Sequence, residues 1–118
     1  DINIVSPPVV GQAFTLDLLA PGESGAQYQA MISLGTSPGY LVGGTLIPAN
    51  QDRAWVVTTA LPGWSGAVPA LEIMSVSASV PNNPSLRNRF IYAVFYTFDV
   101  VGGTTVRLVS APEFMVIS

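Results

Sequence analysis

Apolar and polar side chains alternate along much of this chain. Phe14, Leu16 and Leu18 fall on one side of an extended backbone, with Thr15 and Asp17 on the other. Tyr28, Ala30, Ile32 and Leu34 alternate with Gln27, Gln29, Met31 and Ser33. Leu71, Ile73, Ser75, Ser77 and Ser79 oppose Glu72, Met74, Val76, Ala78 and Val80. Phe90, Tyr92, Val94, Tyr96 and Phe98 oppose Ile91, Ala93, Phe95 and Thr97. A period of two sends neighbouring side chains to opposite faces of a sheet. No stretch carries a helical period, and ten prolines with eleven glycines punctuate the chain. Further strands are expected at Ile2–Val5, Leu41–Ile47, Ala54–Thr59, Thr104–Ser110 and Glu113–Ile117. Eight or nine short strands separated by turn signals predict an all-β fold. The expected form is a single antiparallel β-sandwich over residues 1–118, immunoglobulin-like or jelly-roll-like, with a barrel as the alternative.

Two details sharpen this picture. Gly102-Gly103 predicts a tight two-residue turn joining Phe90–Val101 to Thr104–Ser110, because each glycine supplies a positive φ. The same Val-Gly-Gly-Thr tetrapeptide at Val42–Thr45 has unrelated flanks and reads as a coincidence of turn chemistry, not a repeat. The second detail is the run Phe90–Phe98, which is apolar on both faces. A central strand has this pattern when one face meets the sandwich core and the other meets a loop of the same chain or a neighbouring copy. Trp55, in an apolar run, is expected in the core.

Composition changes the picture at the surface. Only 9% of the 118 residues are charged, where about 25% is usual for a soluble domain. Cysteine, histidine and lysine are all absent. The missing cysteines remove disulfides, thiolate metal sites and cysteine nucleophiles. The missing histidines and lysines remove the commonest acid–base, Schiff-base and phosphate chemistry. Four arginines in a chain of net charge −3 exclude the basic stripe that nucleic acid requires. No apolar run approaches the ~20 residues of a membrane span. What covers the outside is therefore Ser, Thr, Gly, Asn and exposed apolar groups, which give little repulsion between copies.

Candidate chemistry is sparse. The seven carboxylates, Asp1, Asp17, Glu23, Asp52, Glu72, Asp99 and Glu113, are scattered one per strand or loop, and no catalytic pair is indicated. Asp17 and Glu72 are expected mid-strand, facing solvent. Asn50 and Asp52 are too few for a calcium loop and suit an Asx-type turn. Serines lack a histidine partner, and no Gly-x-Ser-x-Gly occurs. No catalytic residue, cofactor or metal site is expected, and the chain is read as a non-enzyme. Trp64 and Tyr40 form the candidate ligand platform, for which a sugar face is the natural occupant. Trp64 is otherwise a lid over the end of the sandwich. Ile2 and Ile4, tethered by Ser6-Pro7-Pro8, form a candidate assembly arm, against the plainer reading of an ordinary first strand.

One resemblance runs through these segments: Val10-Gly11-Gln12-Ala13-Phe14-Thr15-Leu16, Ser33-Leu34-Gly35-Thr36-Ser37-Pro38-Gly39, Pro48-Ala49-Asn50-Gln51-Asp52, Val80-Pro81-Asn82-Asn83-Pro84-Ser85-Leu86 and Val109-Ser110-Ala111-Pro112. Their order resembles an uncharacterised β-sandwich module found toward the C-terminal ends of secreted planctomycete and myxobacterial proteins. The resemblance implies secretion and a non-catalytic role, and carries over no functional residue. A chain that begins at Asp1 without an initiator Met fits removal of a signal peptide. The expected function is a secreted structural subunit, extracellular or at the cell surface. It self-associates as a homo-oligomer or polymer into a fibre, sheet or coat through sheet edges and apolar faces. The alternative is a monomeric binding or accessory module, with polysaccharide as the partner.

Overall fold

The computed structural model describes all residues, 1–118, and its regular structure is nearly all antiparallel strand. They are β1 (Ile2–Ser6), β2 (Ala13–Leu19), β3 (Gln27–Ser33), β4 (Tyr40–Val42), β5 (Thr45–Ile47), β6 (Ser65–Ala67), β7 (Ile73–Ser79), β8 (Phe90–Asp99), β9 (Thr105–Val109) and β10 (Glu113–Val116). One helix, α1 (Arg53–Thr59), lies between β5 and β6, and a 3-10 turn (Pro84–Leu86) precedes β8. Three strands form one sheet in the order β1-β2-β7. Opposite them lies the five-stranded sheet β10-β8-β3-β6, with β9 on the same side of β8 as β10. This connectivity is that of an immunoglobulin-like sandwich rather than a jelly roll. After β1 the chain crosses between the sheets at Pro7-Pro8, where Ser118 N–H donates to the Pro8 carbonyl and Val10 N–H to that of Ser118.

The period of two works as the sequence predicts. Phe14, Leu16 and Leu18 of β2, Tyr28, Ala30 and Ile32 of β3, Met74 and Val76 of β7, and Ile91, Ala93 and Phe95 of β8 meet in the main core between the sheets. Register fixes two ends. Ser33 pairs with Tyr92 and Ala13 with Ser79 at what we term the upper end; Gln27 pairs with Phe98 and Leu19 with Ile73 at the lower end.

Two expected strands are otherwise. Residues 53–59 are helical despite the strand-favouring Trp55-Val56-Val57-Thr58-Thr59. Asp52 is the N-cap, its Oδ1 accepting from Trp55 N–H at 3.1 Å. On the inner side, the Thr58 hydroxyl accepts the Ile32 N–H at 2.9 Å. The helix thus satisfies the upper edge of β3, while β6 pairs only with Gln27–Gln29 below. Residues 41–47 are two strands, because Gly43 and Gly44 form a two-residue hairpin turn at φ 53° and 83°. The tight two-residue turn is therefore at Val42–Thr45. The β8–β9 hairpin forms as expected, but its Gly102-Gly103 sits in a longer loop, since the last pair is Asp99 with Thr105. The strand expected from Leu71 starts at Ile73; Glu72 lies in the preceding turn at φ 62°.

Candidate interaction surface

The two-faced strand β8 resolves into three surroundings. Ile91, Ala93 and Phe95 face the main core. On the opposite face Val94 and Tyr96 join Met31, Ile47 and Ala49 in a second core, packed by Tyr40, Val42, Trp55 and Phe98. The β4–β5 hairpin folds down over this half of the sheet, so the covering element is a loop of the same chain. The first part of β8 has no such cover. Phe90 is 58% exposed and Phe114, on the neighbouring β10, is 50% exposed. Their ring centroids lie 5.2 Å apart, and Tyr92 lies 5.6 Å from Phe114. Val116, paired with Phe90 across the strands, extends the same patch. Leu41 and Leu46, directly opposed on the outer side of the hairpin, form a second exposed apolar pair.

Phe114 and Val116 escaped the sequence reading. Their alternation with Met115 and Ile117 indicates one outward face, but only the pairing of β10 with β8 sets them beside Phe90 and Tyr92.

The two platform candidates stand apart. Trp64 is wholly buried in the main core, its Nε1 donating to the Ser77 carbonyl at 2.9 Å. It offers no face to a ligand, because Pro62-Gly63 turns the chain so that the indole enters the sandwich from its side. Tyr40 is half-buried in the second core, edge-on to Trp55 with centroids 5.7 Å apart, and its hydroxyl accepts the Trp55 indole N–H at 3.3 Å. Trp55 is thus packed against the second core, partly exposed, rather than in the main one. Burial pushes the Tyr96 phenol up to about 12, with the neighbouring Tyr40 hydroxyl adding to the shift, and burial raises Tyr40 as well.

The arm candidates are also placed. Ile2–Ser6 pairs with β2 inside its own sheet, Ile2 opposite Leu18 and Ile4 opposite Leu16. Ile2 enters the core and Ile4 stays largely exposed, so the segment is an ordinary first strand here, not a free arm.

The polar residues build structure. Asp52 Oδ2 accepts from Leu34 N–H at 2.8 Å and from the Ser33 hydroxyl at 3.1 Å. Asn50 Oδ1 accepts from Gly39 N–H, and its Nδ2 donates to the Ser37 carbonyl, both at 2.9 Å. These side chains bond groups 11 to 19 residues away and so brace one loop against another, where a local Asx turn was expected; the one local bond is the α1 cap of Asp52. Asp17 accepts from the Ser75 hydroxyl at 2.6 Å and is half-buried on the outer face of the three-stranded sheet.

At the lower end, Glu23 receives Arg107 Nε at 2.9 Å and the Thr97 hydroxyl at 2.6 Å, while Arg107 Nη1 reaches Asp99 at 3.0 Å. Arg107 holds the Glu23 carboxyl below its usual range against the opposing cost of burial, and Thr97 assists. The two carboxylates in turn raise the Arg107 guanidinium above its ordinary value. One guanidinium shared by two carboxylates leaves a net charge of −1 and suits a brace between the β2–β3 turn and the β8–β9 hairpin.

The fold sorts charges that look scattered in sequence. Asp1, Glu23, Glu72 and Asp99, four of the seven carboxylates, lie at the lower end, with Arg107 among them. Arg53, Arg87 and Arg89, three of the four arginines, lie at the upper end, where Asp52 is held by the α1 cap. The upper end also carries an apolar groove of about 540 Å³, opening between α1 and β7 over Ile32, Leu34, Val57, Leu61, Val80 and Leu86.

Searches for similar proteins found no family model, no curated protein and no solved structure that matches this chain.

Proposed function

We propose that this chain is a non-catalytic structural subunit that self-associates through the outer face of its five-stranded sheet. The observation that carries the reading is the uncovered patch of Phe90, Tyr92, Phe114 and Val116 on a protein with 9% charged residues. Contiguous exposed aromatic and aliphatic side chains mark contact surfaces in soluble domains. Aromatic groups are also the residues enriched at the centres of protein interfaces. The charge-poor surface around the patch leaves little electrostatic repulsion to keep copies apart. A fibre, sheet or coat outside the cell or at its surface suits a charge-poor sandwich of this kind.

Light scattering across a concentration range tests this directly. Particles that grow with concentration, and that shrink in Phe114→Ser with the fold intact by circular dichroism, are the expected result. A protein that stays at 12.4 kDa throughout overturns it.

The binding-module alternative has lost Trp64 but gains the exposed pair Phe90 and Phe114, with half-buried Tyr92 beside them, whose rings suit stacking on a sugar. Retention of the monomer on a polysaccharide column, abolished by Phe114→Ser, would favour that reading.

A further inference from the structure

The self-association just proposed needs a direction of growth, and the two ends of the sandwich supply one. The lower end is acidic and carries the most exposed apolar tip in the chain, Val100-Val101 in the β8–β9 loop, with Val101 92% exposed. Val101 lies two residues beyond Asp99 and packs against nothing of its own chain that would hide it. The upper end is basic and holds the apolar groove between α1 and β7, with Arg53 on its rim. Its volume of about 540 Å³ lies in the range of pockets that hold a drug-sized ligand, room enough for two valine side chains. Arg53, Arg87 and Arg89 form no ion pair within their own chain.

We propose that copies join end to end, the Val100-Val101 tip of one entering the groove of the next. Charge selects this occupant over others. A second copy brings Asp1, Glu72 and the excess negative charge of the Glu23–Arg107–Asp99 group toward arginines that are otherwise unpaired, and brings apolar side chains into an apolar groove in the same movement. The reverse arrangements, upper to upper or lower to lower, oppose like charges. A joint between two different surfaces repeats without closing unless its rotation happens to form a ring, so it yields an open chain of subunits. The aromatic patch on the sheet face remains free for lateral contact between such chains. This inference rests on the self-association reading and adds the second joint.

The test uses two variants, each cutting one half of the joint. Val101→Asp alters only the tip, and Val57→Asp alters only the groove wall; both positions are exposed. Phe114→Ser is built into every protein in the test, so that only end-to-end contact is read. Sedimentation velocity of the parent should show chains that lengthen with concentration and shorten with salt. Each variant alone should be a monomer. Their equimolar mixture should stop at a dimer, since it restores one joint and no more. If Val57→Asp lowers the melting temperature, Arg53→Glu makes the same cut at the groove rim, and should weaken association by about tenfold or more at low salt.

Variants that assemble as the parent does overturn the end-to-end joint. So does a mixture that stays monomeric. In either case growth of the unaltered protein would still stand for self-association through the sheet face. An unaltered protein that is monomeric at every concentration overturns both.

Discussion

The indole N–H of Trp64 donates to the carbonyl of Ser77 across 2.9 Å, linking the segment before β6 to the middle of β7. Strand β7 pairs with β2 on one side only, and Val80, which bonds Gln12 and Gly11, shows which residues turn their backbone toward β2. Ser77, three residues away on the alternate register, turns its carbonyl to the open edge. An internal tryptophan thus occupies the central acceptor of an uncharged edge strand, where a neighbouring strand would otherwise bind. Trp64→Phe is expected to destabilise the fold by about 2 kcal/mol, from the lost hydrogen bond and the space left by the smaller ring. Chemical denaturation measures this. The same variant should precipitate faster near its melting temperature than an equally destabilised core variant such as Val76→Ala.

Asp52 ties α1 to the end of β3 with one carboxylate that accepts three hydrogen bonds, from Trp55 N–H in the first turn of α1, from Leu34 N–H and from the buried Ser33 hydroxyl. Asp52→Ala should cost about 2 kcal/mol, above a simple cap, because two further donors lose their acceptor. Asp52→Asn should recover part of that, since one amide oxygen can still cap the helix. Thermal melts of the pair separate the two contributions.

The period-two strands were legible because alternate burial depends only on local order, whereas the pairing of β2 with β7 and of β3 with β8 joins segments far apart in sequence and was not. Residues 53–59 were not. Their side chains favour a strand, and the helix is decided by the Asp52 cap and by β3 needing an acceptor for the Ile32 N–H. A weak signal was present in Ala54, Thr58 and Leu61, spaced to share one helical face. Trp64 is legible from Pro62-Gly63 and Gly66 only as a loop residue, a platform or a lid over the end of the sandwich, because a loop's local sequence does not say that its side chain enters the main core. The sorting of charge by end was illegible for a different reason. Glu23 and Asp99, or Arg53 and Arg89, become neighbours or end-mates only after strand direction is known.

The two hairpin glycines should differ sharply although both have positive φ. A Cβ on Gly43 would lie 2.5 Å from the Thr104 carbonyl oxygen, where the hairpin tip abuts the start of β9; Gly44 has open space. Gly44→Ala carries the backbone penalty alone, about 1 kcal/mol. Gly43→Ala adds a collision with backbone that can be relieved only by lifting the hairpin. Its melting temperature should fall further, and Tyr40 and Trp55 fluorescence should report wetting of the second core. Equal effects would show that the tip does not bear on Thr104.

Acid should loosen the lower end first. Glu23 has its carboxyl held below the ordinary 4.5, mainly by Arg107, so folding favours the charged form. Stability from this group is therefore complete above about pH 4.5 and is lost as pH falls through the lowered value. Arg107 is 43% exposed, so solvent screens the pair and the loss is modest. Thr97 is fully buried and its hydroxyl donates to the same carboxylate, which makes the site more than a surface ion pair. Glu23→Gln keeps an acceptor for Thr97 but removes the charge. It should melt below the unaltered protein at neutral pH, and the gap should close as pH is lowered below 4. A gap that stays constant across that range would mean that the brace works through packing and neutral hydrogen bonds, with no part played by the charge on Glu23.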